Sequence, residues 1–472
     1  MNDIKFGTGG FRGIIADDFT KENVKLIAQA LATLINTTNA KKEIYIGYDY
    51  RFASDFAAKW MVETLCANDI KVYIANSATP TPVVMNICKE NHCQYGIMIT
   101  ASHNPYYYNG VKLFELDGQD ASVEVTSAIE NIIKTIKDVK SIDYDIALKG
   151  KLVEEIDFLN LYYDNLEKFL NLNNKVDNNL KVLIDPIYGT GIITLRKMCE
   201  MLNIHNYKMI EDKHEAFFNF KMPNPTIKNM ELIKNMVVNG KYDLAIGTDS
   251  DCDRLAILDE NGNYIDANEI LATSYYYLVK YCHLKGDIVK NLTTSSLIDA
   301  VANKLNYKCH EVDVGFKNIT SAMKKYDALV GGESSGGLTI KDYIYGKDST
   351  FSSALFLKMV LALKKPVSKI IEEVKEFASY SNYYYEDQIN FKDKEKLNHA
   401  FLTKTPSFSL KVKDFKKINN NYKYYFDNNC FAVLRFSGTE KVIRVVCEME
   451  SKERCIEIAN TLKEFVIENE NN

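Results

Sequence analysis

Short apolar runs and amphipathic stretches take turns along most of the chain, with periods of two and of 3.6 residues. A 3.6-residue pattern predicts a helix over 20–34, with Thr20 as N-cap and Asn23 in its first turn. Glu43–Tyr48 predicts a strand, 54–68 a helix, 70–74 a strand, and a further helix opens at Pro80. The apolar run Tyr95–Ile99 predicts a buried strand. It leads into Thr100-Ala101-Ser102-His103-Asn104-Pro105, and Asn109-Gly110 precedes a second strand-like run over 111–114. Asn-Pro and Asn-Gly are both turn signals. A polar stretch, 137–151, ends this unit. The second unit predicts a helix over 156–170, a strand over 181–184, a Gly-rich turn at 188–191 and another helix. The rigid loop Pro223-Asn224-Pro225, a helix and a strand over 243–247 follow. In the third, helix 267–281, strand 287–291, helix 295–305 and strand 308–312 lead to apolar helical patterns over 351–377. Such alternation implies α/β units with largely parallel sheets. The fourth differs: a tyrosine-rich run after Ser379, strand-like segments near 408–412, 422–426, 430–435 and 442–447, and a helix over 452–467. That is an α+β pattern with an antiparallel sheet, and 468–472 reads as a frayed polar tail.

At 472 residues the chain exceeds one ordinary core. The expected partition is 1–145, 146–258, 259–377 and 378–472. The hydrophobic fraction of 46% and charged fraction of 26% suit a soluble globular protein. A net charge of −5, without a dense Lys/Arg cluster, gives no nucleic-acid face. No apolar run reaches membrane-spanning length, and Asp3 and Lys5 stand where a signal peptide would need an apolar core. The ten cysteines form no Cys-x-x-Cys pair, so the expectation is reduced thiols in a cytoplasmic protein rather than a zinc or redox site.

Four stretches carry candidate chemistry. Ser102, at the exit of a strand, can act as nucleophile or phosphate carrier, with His103 beside it and Lys112 further on; the plain alternative is a turn. Asp249-Ser250-Asp251-Cys252-Asp253-Arg254 sets three carboxylates at alternate positions, which repel unless a cation sits among them, and hard oxygen ligands suit Mg²⁺. An EF-hand is excluded, because Arg254 occupies the sixth position, where glycine is needed. In 331–337, Glu333 and Ser335 share one side of an extended segment and could meet sugar hydroxyls; the alternative is a flexible loop. Arg435-Phe436-Ser437-Gly438-Thr439-Glu440, with Arg444, forms a candidate anion nest, against a hairpin with incidental charge. Two more loops stand out: the Gly-rich 6–13 with Arg12, and Gly315-Phe316-Lys317.

Together these stretches resemble, in order and over 6–448, the motifs of the α-D-phosphohexomutase superfamily, which includes phosphoglucomutase and phosphomannomutase. The resemblance implies three similar α/β domains plus a C-terminal α+β domain around a central cleft, each lending one loop. It implies Ser102 as the phosphate carrier, one Mg²⁺ per chain among Ser102, Asp249, Asp251 and Asp253, and a hexose 1,6-bisphosphate intermediate and activator. Arg12, His103 and Lys112 would lie near the transferring phosphoryl group, with Lys112 preferred over His103 for acid/base work. Arg254, Gly315, Lys317, Glu333, Ser335 and Lys347 would contact substrate; Arg435, Ser437, Gly438, Thr439 and Arg444 would grip its phosphate. Ser250 and Cys252 depart from the family, which often has glycine there; so do Ser334, Gly337, Phe316, Phe436 and Lys441. The expected reaction interconverts hexose 1-phosphate and hexose 6-phosphate in a monomer or homodimer. The 333–337 loop favours glucose or mannose. Phosphoglucosamine mutase and a non-catalytic sugar-phosphate-binding paralogue are the alternatives.

Overall fold

A computed structural model describes residues 4–7, 9–38, 40–171, 179–437 and 441–471. The chain forms two compact units, one of residues 1–274 and 330–370, the other of 275–329 and 371–472.

The first unit holds two sheets. In the first, Glu43–Tyr48 lies between Lys71–Ala75 and Tyr95–Ile99, all parallel. Val153–Ile156 extends it in parallel beyond Lys71–Ala75. The helix expected over 156–170 therefore starts at Leu159, after a strand that its polar residues concealed. The helix Lys21–Thr37 begins as expected, with the Thr20 side chain accepting from Asn23 N. Its buried stripe (Val24, Ile27, Leu31) packs with Ile46, Val72 and Ile97 of the sheet.

Asn109-Gly110 is not a turn. Both residues lie inside Tyr108–Glu115, a strand antiparallel to Tyr95–Ile99 on one side and to Phe11–Ile14 on the other. Gly110 faces Arg12 there, and a Cβ would come within 2.3 Å of Phe11 O and 2.7 Å of Thr100 O. Close backbone approach, rather than a reversal, demands the glycine. Asn109 Nδ2 donates to Phe52 O and Ser54 Oγ. The Gly-rich 6–13 stretch likewise ends in a strand that carries Arg12.

The second sheet runs Tyr264–Ile265, Leu255–Leu258, Leu244–Thr248, Val182–Asp185, Tyr207–Met209. Leu244–Thr248 is parallel to Val182–Asp185 and antiparallel to Leu255–Leu258, so the acidic loop 249–254 joins two fully buried strands. The hairpin Val330–Gly332/Leu338–Ile340 and the helix Ser349–Leu363 complete this unit.

In the second unit Ile288–Asn291 and Cys309–Val312 pair in parallel, and Lys317 sits in the first turn of a helix, Phe316–Tyr326, rather than in a loop. Five antiparallel strands follow in the order Tyr383–Asn390, Val442–Met449, Phe431–Phe436, Asn421–Tyr425, Asp414–Ile418. The tyrosine-rich run is the first of them. The segment 408–412 is not a strand: Phe408 N bonds Pro406 O, and Phe408, Leu410 and Val412 rest on the core without joining a ladder. The tail is not frayed at 468–471 either. The helix Lys452–Asn471 continues because Asn469 is buried and accepts from Lys404 Nζ at 2.6 Å.

A buried ion pair braces this unit. Lys423 Nζ donates to Leu292 O at 2.8 Å and Glu311 Oε2 at 2.5 Å. Burial, then repulsion from Lys290, pushes Lys423 down to about 8, with Glu311 opposing the fall. Lys423→Met should cost about 2 kcal/mol, because it leaves a partly buried carboxylate with only its bond from Tyr425 OH, and adding Glu311→Leu should return much of that loss. Urea unfolding of both variants checks this; a double variant no more stable than the single one would contradict it.

Candidate active site

Tyr95–Ile99 is buried along its whole length and delivers Ser102 at its carboxyl end. Ser102 has φ +50°, a left-handed conformation that costs a non-glycine residue about 1 kcal/mol and needs support from its surroundings. That support is visible. Ser102 N donates to Thr100 Oγ1 at 2.8 Å, and Thr100 Oγ1 donates to Asp49 Oδ2 at 2.6 Å. The Ser102 carbonyl accepts from Arg51 Nη2 and from Ser250 Oγ. Arg51 also donates to Asn104 O (2.6 Å), Pro105 O (2.9 Å) and Tyr108 O (3.0 Å), and its guanidinium lies over the Phe218 ring. Burial pushes Arg51 down to about 10, with Asp49 opposing, so it remains a cation at neutral pH. Sequence reasoning missed Arg51, Asp49 and the bond made by Ser250. An Asp-x-Arg at the end of Glu43–Tyr48 was the available signal.

The acidic loop faces this serine. Ser102 Oγ donates to Asp249 Oδ2 at 3.2 Å, across 147 residues of sequence. Asp249 Oδ1 accepts from the amides of Asp253 and Arg254, both at 2.9 Å, and closes its own loop. Asp251 Oδ2 accepts from Lys112 Nζ and Thr81 Oγ1, both at 2.6 Å. Asp253 Oδ2 accepts from Lys112 Nζ at 3.0 Å. Asp251 Oδ1 and Asp253 Oδ1 are buried without a hydrogen-bond donor. Each carboxylate thus keeps one oxygen uncommitted to an N–H, and ligand atoms of the three lie within 4.8 Å of one another. A buried set of hard oxygens of this kind fits Mg²⁺. Burial, then repulsion from Asp253 and Asp251, pushes Asp249 well above the usual carboxylate range. Burial acts on Asp253 the same way, yet Lys112, Lys347 and Arg254 outweigh it and hold its carboxyl well below that range.

Other predicted residues gather here. Burial works to lower Lys112, but Asp251 and Asp253 win and hold it firmly protonated. His103 Nδ1 lies 3.3 Å from Ser102 Oγ; burial, then Arg254 and Arg12, push its pKa far down, so it stays neutral. Arg12 bonds Asn104 Oδ1. Lys347 Nζ stands 3.6 Å from both Asp253 Oδ1 and Glu333 Oε1, and Ser335 Oγ donates to Glu333 Oε1 at 2.7 Å. Glu333 and Ser335 are in a turn between two strands rather than on an extended segment. Gly337, at φ +86°, lets the Lys347 stem pass: a Cβ would meet Lys347 Cβ at 2.7 Å. The Lys347 loop is tied to the acidic loop by Ser349 N to Cys252 O at 3.1 Å. It is also anchored by buried Asp348, which accepts from Tyr343 OH, Tyr162 OH and Phe351 N.

Gly315, Lys317, Arg435, Ser437 and Arg444 belong to the second unit. Gly315 has φ +120° and caps the Lys317 helix. Arg435 and Arg444 are direct cross-strand partners, a like-charge placement that an anion would relieve. Gly438 and Thr439 lie outside the described residues.

Models of three phosphoglucomutase/phosphomannomutase α/β/α domains match the chain in order: domain I over 3–140, domain II over 160–262 and domain III over 266–377. A phosphoglucosamine/phosphogalactosamine mutase of Sulfurisphaera tokodaii is 26% identical over 463 residues, covering 98% of each chain. A phosphoglucomutase/phosphomannomutase of Thermococcus kodakarensis is also 26% identical over 463 residues, covering 96% of each. The crystal structure of a putative phosphomannomutase from Thermus thermophilus superposes with TM-score 0.84 at 24% identity, over 98% of this chain and 99% of that one. Three α/β/α domains, a C-terminal β-rich domain and a serine facing an aspartate triplet define an enzyme that transfers phosphate within a sugar phosphate. The chain belongs to the phosphoglucomutase/phosphomannomutase family of the α-D-phosphohexomutase superfamily. No helix among the described residues is long and apolar enough to cross a membrane.

Two outcomes follow from this geometry. Asn at Asp249, Asp251 or Asp253 should each weaken Mn²⁺ or Mg²⁺ binding about tenfold or more, read by calorimetry or Mn²⁺ spin resonance; unchanged binding in all three would refute the metal assignment. Burial also pushes Asp348 up to about 6, with its hydrogen bonds opposing. Between about pH 4 and about 6 the folded chain holds this proton and the unfolded chain does not. Its contribution to stability therefore falls as pH rises through that window and is flat above it, by about 3 kcal/mol at most. Asp348→Asn should lack this component, and urea midpoints that move in parallel with pH in both proteins would contradict it.

Proposed function

We propose that the chain interconverts hexose 1-phosphate and hexose 6-phosphate, with glucose or mannose as the sugar, through phosphorylated Ser102 and a hexose 1,6-bisphosphate. The observation that carries this reading is the Ser102 hydroxyl 3.2 Å from Asp249, beside Asp251 and Asp253 with their uncommitted oxygens. The four segments 1–145, 146–258, 259–377 and 378–472 are each assigned one loop of the site.

In the first half-reaction the Oγ–P bond of phosphoserine breaks and an O–P bond forms to a sugar hydroxyl. That hydroxyl gives up its proton, and Ser102 Oγ regains one. Lys112, bonded to Asp251 and Asp253 beside Ser102, is assigned the acid/base work and helps neutralise the transferring group. His103 Nδ1, at hydrogen-bond reach of Ser102 Oγ, is a second candidate for the proton transfer. Mg²⁺ held by Asp249, Asp251, Asp253 and a phosphoserine oxygen would neutralise charge on the equatorial oxygens. Arg12 and Arg254 supply further positive charge. The intermediate then presents its other phosphate: the O–P bond to that sugar oxygen breaks, the Oγ–P bond reforms, and the Ser102 proton passes to the freed sugar oxygen.

Glu333, Ser335 and Lys347 are assigned to the sugar hydroxyls, Gly315 and Lys317 to the substrate more broadly. Arg435, Ser437, Gly438, Thr439 and Arg444 are assigned the non-reacting phosphate, supported by the opposed arginines. The unpaired state of all ten cysteines supports a reducing, cytoplasmic setting. A second reading, an amino sugar phosphate as substrate, is favoured by the name of the Sulfurisphaera relative.

Purified protein incubated with glucose 1,6-bisphosphate should gain one phosphate, located on Ser102 by mass spectrometry. Ser102→Ala should lose turnover by about a thousandfold or more. Near-wild-type turnover in that variant would overturn the proposal. Parallel assays with glucose 1-phosphate, mannose 1-phosphate and glucosamine 1-phosphate decide the sugar.

A further inference from the structure

Ser250 stands between two metal-ligand candidates but points its hydroxyl away from that role. Its Oγ donates to the Ser102 carbonyl at 2.5 Å, across 148 residues. Ser250 is fully buried. Its own carbonyl accepts from Thr190 N at 2.9 Å and Thr190 Oγ1 at 3.0 Å, at the entry to the helix Gly191–Met201. Gly189 packs against it so closely that a Cβ there would meet Ser250 Cα at 2.7 Å. The donor is therefore fixed to the second sheet, while its acceptor belongs to a left-handed residue at the end of the first.

We propose that the Ser250 hydroxyl is a positioning group that sets the Ser102 loop against the acidic loop for phosphoryl transfer. The proposal rests on the reading of Ser102 as phosphate carrier. Arg51 holds the same carbonyl from the Ser102 side of the site; Ser250 holds it from the acidic loop and so ties the two loops together by way of the main chain. The other bonds to the acidic loop, from Lys112 and Thr81 to Asp251 and from Lys112 to Asp253, do not touch the Ser102 main chain. A neutral hydrogen bond of this kind is worth about a factor of ten when its effect falls on the transition state.

Ser250→Ala and Ser250→Gly both remove the hydroxyl but differ in volume. Both should lower kcat about tenfold while KM stays within about threefold, and thermal melting should identify any variant that fails to fold. Hydrogen–deuterium exchange of the peptide over 101–108, with neither sugar nor metal added, should quicken in both. Wild-type kcat in both variants would overturn the proposal, as would unchanged exchange. Loss in the glycine variant alone would also overturn it, since that points to packing. Wild-type turnover in Ser102→Ala would instead remove the phosphoserine reading, and the exchange data would still report on the tie.

Discussion

Burying three carboxylates at one point is the constraint that shapes the first unit. Asp249, Asp251 and Asp253 lie in an interior where unpaired charge is expensive. The chain answers with Lys112 between Asp251 and Asp253, with Lys347 and Arg254 toward Asp253, and with loop amides on Asp249. Arg254 belongs to the loop itself, while the two lysines reach it from different stretches of sequence. Lys112 comes from a strand of the first sheet, and Lys347 from the loop that Asp348 anchors through Tyr162 and Tyr343. The acidic loop thus organises its neighbours as much as they hold it.

This arrangement leaves a divided electrostatic field. Asp253 is pinned as an anion, while Asp249, which faces Ser102, is pushed toward its protonated form by burial and by its two neighbours. A divalent cation would remove the conflict at Asp249 without displacing Lys112, because the oxygens that Lys112 uses are not the ones left uncommitted. The protein therefore separates two tasks that a single shell of charges could confuse: holding the loop shut, and leaving room for a ligand.

Much of this could be read from the residues alone. The alternation of strands and helices gave the α/β units because each element buries one face, and period alone records that. The serine and the aspartates were legible because their residue types are costly without a purpose. What could not be read depends on partners distant in sequence. Asn109-Gly110 reads as a turn until the strand Phe11–Ile14 is known to run beside it. Val153–Ile156 carries two exposed glutamates and has no strand signature except the edge it joins. Phe408, Leu410 and Val412 alternate like a strand, but Pro406 and the lack of a neighbour keep them out of the ladder. Arg51 looks like any charged loop residue until four carbonyl oxygens are found around it.

That last residue has a consequence for how the site cycles. Arg51 pairs with the Asp49 carboxylate, but its four hydrogen bonds to this loop all end on main-chain oxygens, so they are indifferent to what the Ser102 side chain carries. On the reading of Ser102 as phosphate carrier, the peptide frame around it can stay in one shape whether the hydroxyl is bare or esterified.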